Sequence, residues 1–284
     1  MVTKTINGLT FELKEDQDFS WLERLGEVFS VFDQQDSGNI CFGIKIKGKR
    51  RFIKYAGAKT INSSVNPDIA IQHLKNSVTI YSDLKYPYLV ELMDCFETEK
   101  GFALLFDWFG GETLHNHWDF PPPNKYEHPD SPYFRFRKLP LMHRLEVVNT
   151  ILEFHVHVEE NNYVAIDFYD GSILYDFKNN LAKICDIDLY HTKPYKNQMG
   201  RMWGSSRFMS PEEFELHAII DERTNVFNMG AICFGLLGGE LDRSMEKWEA
   251  SSELYDVAIK AVEKDRNKRY RSVQEFYYDW KSSM

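Results

Sequence analysis

Two carboxylates, Asp167 and Asp186, stand nineteen residues apart in this 284-residue chain, and each is delivered by a strongly apolar run. The first run is Tyr163-Val-Ala-Ile-Asp-Phe-Tyr-Asp-Gly-Ser-Ile-Leu-Tyr175, and the second is Lys183-Ile-Cys-Asp-Ile-Asp-Leu189. Two strand-like segments joined by a turn would converge such carboxylates on one place. Paired there, one carboxylate can orient an attacking hydroxyl and take its proton while the other holds a phosphate-bound Mg²⁺. Acidic turn residues flanking exposed hairpins would also account for isolated aspartates, but not for two apolar runs that each lead into one. Lys54 has a matching oddity. It sits inside the apolar run Phe52-Ile-Lys-Tyr-Ala56, where a desolvated ammonium must find an anion unless it reaches water along the edge of a sheet.

The elements that would carry these groups can be read from periodicity. Strand-like runs cover 29–33, 39–47 and 51–55, and a helix is expected from Pro67, with Ile69, Ile71, Leu74, Val78, Tyr81 and Leu84 at near-helical spacing. Two further strands follow at 89–96 and 101–106, and Phe109-Gly-Gly-Glu-Thr113 breaks the pattern. Beyond it, Phe120-Pro-Pro-Pro-Asn-Lys-Tyr-Glu-His-Pro-Asp-Ser-Pro132 is too short and too aromatic for a disordered linker, and an ordered surface insertion is expected. Helices are then expected over 141–160, 211–217, 225–237, 248–262 and 272–282. The plan is α+β and two-lobed: a β-rich region with one main helix over residues 1–108, then a helical region over 109–284.

Composition narrows the function. A net charge of −9 argues against a general nucleic-acid binder, because neutralising phosphates needs a basic surface. The four cysteines, Cys41, Cys95, Cys185 and Cys233, are scattered without Cys-x-x-Cys spacing, so neither a zinc site nor a disulfide framework is expected. With no apolar run of membrane-spanning length and no apolar stretch in Met1-Val-Thr-Lys-Thr-Ile6, a cytoplasmic protein is expected. His155 and His157 lie two apart on a helix and so on different faces, which favours packing over metal binding.

Taken in order, these segments resemble the eukaryotic-like Ser/Thr protein kinase superfamily, in a divergent, bacterial-type form. The resemblance runs from about Phe29 to Trp280 and is most specific from Gly204 onward. There Gly204-Ser-Ser-Arg-Phe-Met-Ser-Pro-Glu-Glu-Phe214 resembles the end of an activation segment, Thr224-Asn-Val-Phe-Asn228 the start of the central buried helix, and Lys264-Asp-Arg-Asn-Lys-Arg269 the closing element. The resemblance implies a bilobal kinase fold with ATP between the lobes and Mg²⁺ as cofactor. It implies Asp167 as catalytic base, Lys54 on the α/β-phosphates, and metal ligation by Asp186 with Ser172 and with Asp188 or Asp170. Gly38 and Ile40 would line the phosphate turn, although Asp36-Ser-Gly38 is equally adequate as a plain hairpin turn. Phe106 would back the adenine pocket, Asp107 and Phe109 would offer backbone groups to adenine, and Glu112 would reach ribose. Ser205 would touch Asp167, and Arg269 would pair with Glu212.

Several positions depart from the family's pattern. No glutamate lies between Lys54 and Glu91, and the expected helix partner of the lysine falls near Ser77. The His-Arg pair before the catalytic aspartate is Ala165-Ile166, the lysine two residues after it is Tyr169, and the metal-binding asparagine is Ser172. Without the arginine, regulation by segment phosphorylation is not expected. Three readings remain: an atypical Ser/Thr protein kinase, a nucleotide-binding pseudokinase scaffold, and a small-molecule phosphotransferase. A protein substrate or partner is implied by the first two.

Overall fold

The computed structural model describes residues 1–284, and the chain divides into two compact units, one of residues 1–85 and 90–110 and the other of residues 86–89 and 111–284. The first is β-rich and the second is helical, so the α+β class expected from the sequence holds.

In the first unit a hairpin, β1 (Val2–Ile6) and β2 (Leu9–Leu13), leads through the short α1 (Ser20–Leu25) into five antiparallel strands. These are β3 (Glu27–Phe32), β4 (Asn39–Ile46), β5 (Lys49–Ala56), β6 (Leu92–Thr98) and β7 (Gly101–Asp107), in spatial order β3-β4-β5-β7-β6. The hairpin and α1 exist to cover one face of that sheet. Phe11, Leu13, Phe19 and Leu22 are buried there against Ile40, Phe42, Ile44, Ile53 and Tyr55. Phe19 meets Phe42 and Tyr55 edge-on at 5.4 and 5.8 Å, the favourable arrangement for ring quadrupoles. Gly38 turns the β3–β4 connection at φ +83°, and a Cβ there would sit 3.3 Å from both Val65 and Ala70. Glycine therefore meets a backbone need and a close approach at once.

The helix expected from Pro67 is α2 (Pro67–Asp83), started by the Asn66 side chain accepting the Asp68 N–H and by proline in its first turn. Its buried residues, Ala70, Leu74, Ser77, Ile80 and Tyr81, form the stripe that packs on β5, β6 and β7.

The second unit is organised by α5 (Leu141–Glu160) and α6 (Glu222–Leu237), with α7 (Ser252–Ala261) and α8 (Val273–Ser282) packed around them. Every residue of α6 from Thr224 to Leu237 is buried: the helix is mostly apolar, and its polar Thr224, Asn225 and Asn228 are hydrogen-bonded inside the protein. Short pairs complete the unit: β8 (Glu112–Thr113), β9 (Tyr163–Val164), β10 (Ile173–Asp176), β11 (Leu181–Ile184), β12 (His191–Thr192), β13 (Tyr195–Lys196) and β14 (Ile219–Ile220). Residues 211–217, expected as a helix, form only one 3-10 turn over Pro211–Phe214. The Glu213 side chain folds back onto the Ser210 N–H and hydroxyl and closes the turn as a capping box. The Pro-rich insertion contains the short helix α3 (Asn124–Glu127) and ends where a second, α4 (Pro132–Arg137), begins. No helix in the chain is long and apolar enough to cross a membrane.

Candidate active site

Strands β10 and β11 pair as an antiparallel hairpin with Ile173 opposite Ile184, and the two carboxylates flank it in the chain. Asp167 precedes it by one turn, a 3-10 segment over Asp170–Ser172, and Asp186 follows it by one residue. The Cys185 N–H donates to the Ser172 carbonyl at 2.9 Å, so the entry and exit of the hairpin are tied together beside Asp186. Asp167 and Asp186 both adopt left-handed backbone, at φ +65° and +57°. Left-handed backbone is uncommon outside glycine and clusters where the surrounding structure holds a side chain for function.

What holds Asp167 is visible. The Ala165 N–H donates to Asn225 Oδ1 at 2.8 Å, and Asn225 Nδ2 reaches the Tyr163 carbonyl at 3.3 Å. The start of the central helix thus grips the backbone just ahead of the aspartate. On the next side Phe168 packs against the ring of His155, 4.4 Å between centroids. His155 is fully buried on α5, where its Nδ1 meets the Ile151 carbonyl and its Nε2 meets the Tyr190 hydroxyl, each at 2.8 Å. Burial pushes its pKa down to about 3, so it is a neutral packing histidine.

Ile166, standing in place of an arginine, is buried in a small apolar cluster with Val164, Met202, Met209 and Ile220. Tyr169, standing in place of a lysine, lies over the next turn. A Cβ on Gly171 would come within 2.4–2.6 Å of its ring, so the tyrosine and the glycine fit only as a pair. Burial, together with the charges of Asp186, Asp167 and Asp170, pushes the phenol pKa up and keeps it protonated.

For a metal, the donor set is informative. The Ser172 side chain is fully buried and its hydroxyl has no partner within the protein. Asp186 is exposed, Asp188 is half-buried, and Ile187 between them is fully buried. No set of three or more His, Cys, Asp or Glu side chains could hold a metal by itself. Mg²⁺ is commonly held by one or two carboxylates together with phosphate oxygens and water. Asp170 is placed differently. Its carboxylate accepts from Lys125 Nζ at 2.6 Å and from Arg207 at 2.9 Å on each oxygen. Burial would push its pKa up, but His115, Lys125 and Arg207 around it outweigh this and hold it well below the usual carboxylate range. A carboxylate carrying two cations is a poor third metal ligand.

In the first unit Lys54 is half-buried on β5, opposite Cys41 on β4 and Leu104 on β7. Ile40 is opposite Tyr55, one residue along. Because side chains alternate faces, Ile40 and Lys54 lie on opposite sides of the sheet, and Ile40 belongs to the buried core. Cys41 is the residue that shares the face of Lys54. Ser77, near the place expected to partner this lysine, is fully buried and donates to the Leu74 carbonyl at 2.8 Å. At the end of β7 the Asp107 N–H is committed to the Glu91 carbonyl at 3.0 Å, and its carboxylate pairs with Arg51. Phe106 is buried and Phe109 half-buried. In the second unit Glu112 is held by both oxygens on Arg135, at 2.9 and 3.0 Å.

The segment from Gly204 onward has the arrangement its sequence suggests. Arg269 makes a two-pronged pair with Glu212 at 2.7 and 3.0 Å, and Thr224 adds a third hydrogen bond to the same carboxylate. Gly204 approaches the Asp167 backbone, since a Cβ on it would lie 3.6 Å from the Asp167 Cα. The Ser205 hydroxyl is engaged by Arg207 Nε at 3.0 Å. Sequence reasoning missed Lys125, Arg207 and Glu240, which surround Asp170. The only signal was a single lysine among the prolines and aromatics of the insertion.

These features define a protein-kinase-like architecture, and comparison with known proteins agrees. The protein kinase domain family matches residues 37–275, and the chain belongs to that family. It is 22% identical over 258 residues to the putative wall-associated receptor kinase-like 16 of Arabidopsis thaliana, covering 84% of this chain and 55% of that protein. It is 24% identical over 207 residues to wall-associated receptor kinase 5 of the same plant, covering 69% of this chain and 26% of that one. The chain thus spans about half or less of the length of these relatives.

Proposed function

We propose that this chain transfers the γ-phosphate of ATP to a Ser or Thr hydroxyl of a protein. The observation that carries the reading is the pair of left-handed aspartates, Asp167 and Asp186, flanking one hairpin, with the unpartnered Ser172 hydroxyl between them in sequence. Asp167 orients the acceptor hydroxyl and takes its proton as the oxygen bonds to the γ-phosphorus and the bond to the bridging oxygen breaks. Asp186 and Ser172 are the groups that would hold Mg²⁺, which supplies charge neutralisation at the phosphates, and Asp188 stands next in line. Lys54 supplies the cation for the α/β-phosphates. Asp107 and Phe109 offer backbone groups to adenine, and Gly38 keeps the β3–β4 turn free of a side chain.

One specific observation favours a second reading. Tyr169 puts a neutral phenol where the family carries a lysine, a loss that fits a nucleotide-binding scaffold without turnover.

The experiment that tests the reading is a phosphate-acceptor screen with labelled ATP, comparing Ser/Thr peptide arrays with small alcohols and amines. Label on peptide hydroxyls supports protein kinase activity. Label only on small molecules makes the chain a small-molecule phosphotransferase, and label on neither makes it a scaffold.

A further inference from the structure

Asp170, three residues beyond Asp167, and three charged side chains that lie far apart in sequence are packed into one largely buried cluster. Lys125, from α3 in the insertion, is only 1% exposed. Its ammonium donates to Asp170 Oδ2 and to Glu240 Oε1, both at 2.6 Å, and lies 4.0 Å from the centre of the Tyr133 ring. Arg207, from the segment that follows Gly204, donates through Nη1 to Asp170 at 2.9 Å and to Glu240 at 2.8 Å. Through Nη2 it donates to Asp170 at 2.9 Å and lies 3.0 Å from His115 Nδ1, and through Nε it donates to the Ser205 hydroxyl. A guanidinium has five N–H donors, and four of them are committed to Asp170, Glu240 and Ser205. Tyr126 donates to the remaining oxygen of Glu240 at 2.8 Å. Two cations balance two anions.

The cluster joins four pieces of chain: the insertion, the turn that follows Asp167, the segment whose Gly204 lies against the Asp167 backbone, and the stretch just after α6 that carries Glu240. Met202 and Met209, flanking the same segment, share an apolar cluster with Ile166. The contacts that fix it are an internal salt cluster and an apolar patch. Arg207 spends at least four of its five donors inside the protein.

We propose that Lys125 and Arg207 are positioning residues for phosphoryl transfer, fixing the turn that follows Asp167 to the 204–210 segment without any phosphorylated residue, and that this is the purpose of the Pro-rich insertion. The proposal rests on the transfer reading above, and its test separates the two. A misplacement of about 1 Å at a reacting group can lower turnover on the order of 10²-fold while leaving substrate binding intact.

The test uses the full chain with Lys125→Met and Arg207→Met, plus Arg207→Lys, which keeps the charge but loses the fork. Hydrogen exchange is followed at amides 200–210 and in α6, and kcat and the KM for ATP are measured with phosphatase-treated protein. The expected result is faster exchange confined to 200–210 with α6 still protected. It comes with kcat lowered on the order of 10²-fold and unchanged KM for ATP in the Met variants, and partial recovery in Arg207→Lys. Unaltered exchange at 200–210, or equal loss of protection in α6, overturns the proposal, as does a parent enzyme that loses its activity on phosphatase treatment. If the parent turns over no ATP at all, the transfer reading fails instead. The cluster is then judged on exchange alone, with confined loosening sustaining its role as the segment's fastening.

Discussion

Asn225 Oδ1 accepts the Ala165 N–H at 2.8 Å, so the central helix of the second unit holds the backbone two residues ahead of Asp167. Both groups are buried, and neither can turn to water if the other is lost. Asn225→Leu should therefore cost about 1–3 kcal/mol, the penalty of an unsatisfied buried N–H. Asn225→Asp, which keeps the acceptor, should cost less. Urea unfolding of the three proteins reads the difference, and equal midpoints for native protein and Asn225→Leu would remove this hydrogen bond from the account.

Glu212 and Arg269 form the second fastening. Arg269 is 3% exposed, and its guanidinium also donates to the carbonyls of Glu263, Arg223 and Lys264. Removing the cation leaves a buried carboxylate uncompensated. Arg269→Met should destabilise the protein by about 3–5 kcal/mol. The double variant Glu212→Gln, Arg269→Met should recover part of that loss in the same denaturant measurement, because no buried charge is then left alone.

Stability should depend on pH through buried groups of opposite sense. Burial pushes Glu159 up to about 8 and Glu213 up to about 7, so in the folded state both hold protons that the unfolded chain gives up near 4.5. Their effect is a loss of stability as pH rises from about 4.5 towards those values, up to about 1.4 kcal/mol per pH unit for each group. His155, held down to about 3, acts the other way below its ordinary value of 6.5, where the unfolded chain takes up a proton and the folded one does not. The two trends oppose one another below about 6.5, and above it the carboxylates act unopposed by this histidine. Unfolding free energy should fall between pH 6.5 and 8, and Glu159→Gln should flatten the fall. A Glu159→Gln curve parallel to that of the parent would show that this carboxylate does not carry the trend.

Ser172 offers a test of the metal site that stability measurements would miss. Its buried hydroxyl has no protein partner, so Ser172→Ala should leave the unfolding midpoint nearly unchanged. The Mg²⁺ concentration needed for half-maximal nucleotide binding should rise by about 10–100-fold, the range for losing one supporting group at a metal site. An unchanged Mg²⁺ titration would place the metal elsewhere.

The parts of this protein that were legible in its sequence are those in which local pattern and chemistry coincide. The hairpin between Asp167 and Asp186, the stripe of α2 and the Glu212–Arg269 pair all rest on short motifs with little freedom. The N-terminal hairpin and α1 went unread because Leu9–Leu13 and Ser20–Leu25 are short and become meaningful only as cover for the sheet. Ile40 and Cys41 are equally apolar, and only strand register decides which of them shares the face of Lys54. The cluster around Asp170 is the extreme case. Lys125 and Glu240 are 115 residues apart, and no local pattern announces a pair made by tertiary packing.

The most direct measurement is ATP turnover with Mg²⁺ for the native protein and for Asp167→Asn, with nucleotide binding measured on both. The account predicts turnover in the native protein, its loss in the variant, and equal binding in the two. Equal turnover in both would contradict the assignment of Asp167. Nucleotide binding without turnover in either would contradict the transfer reading itself and leave a nucleotide-binding scaffold.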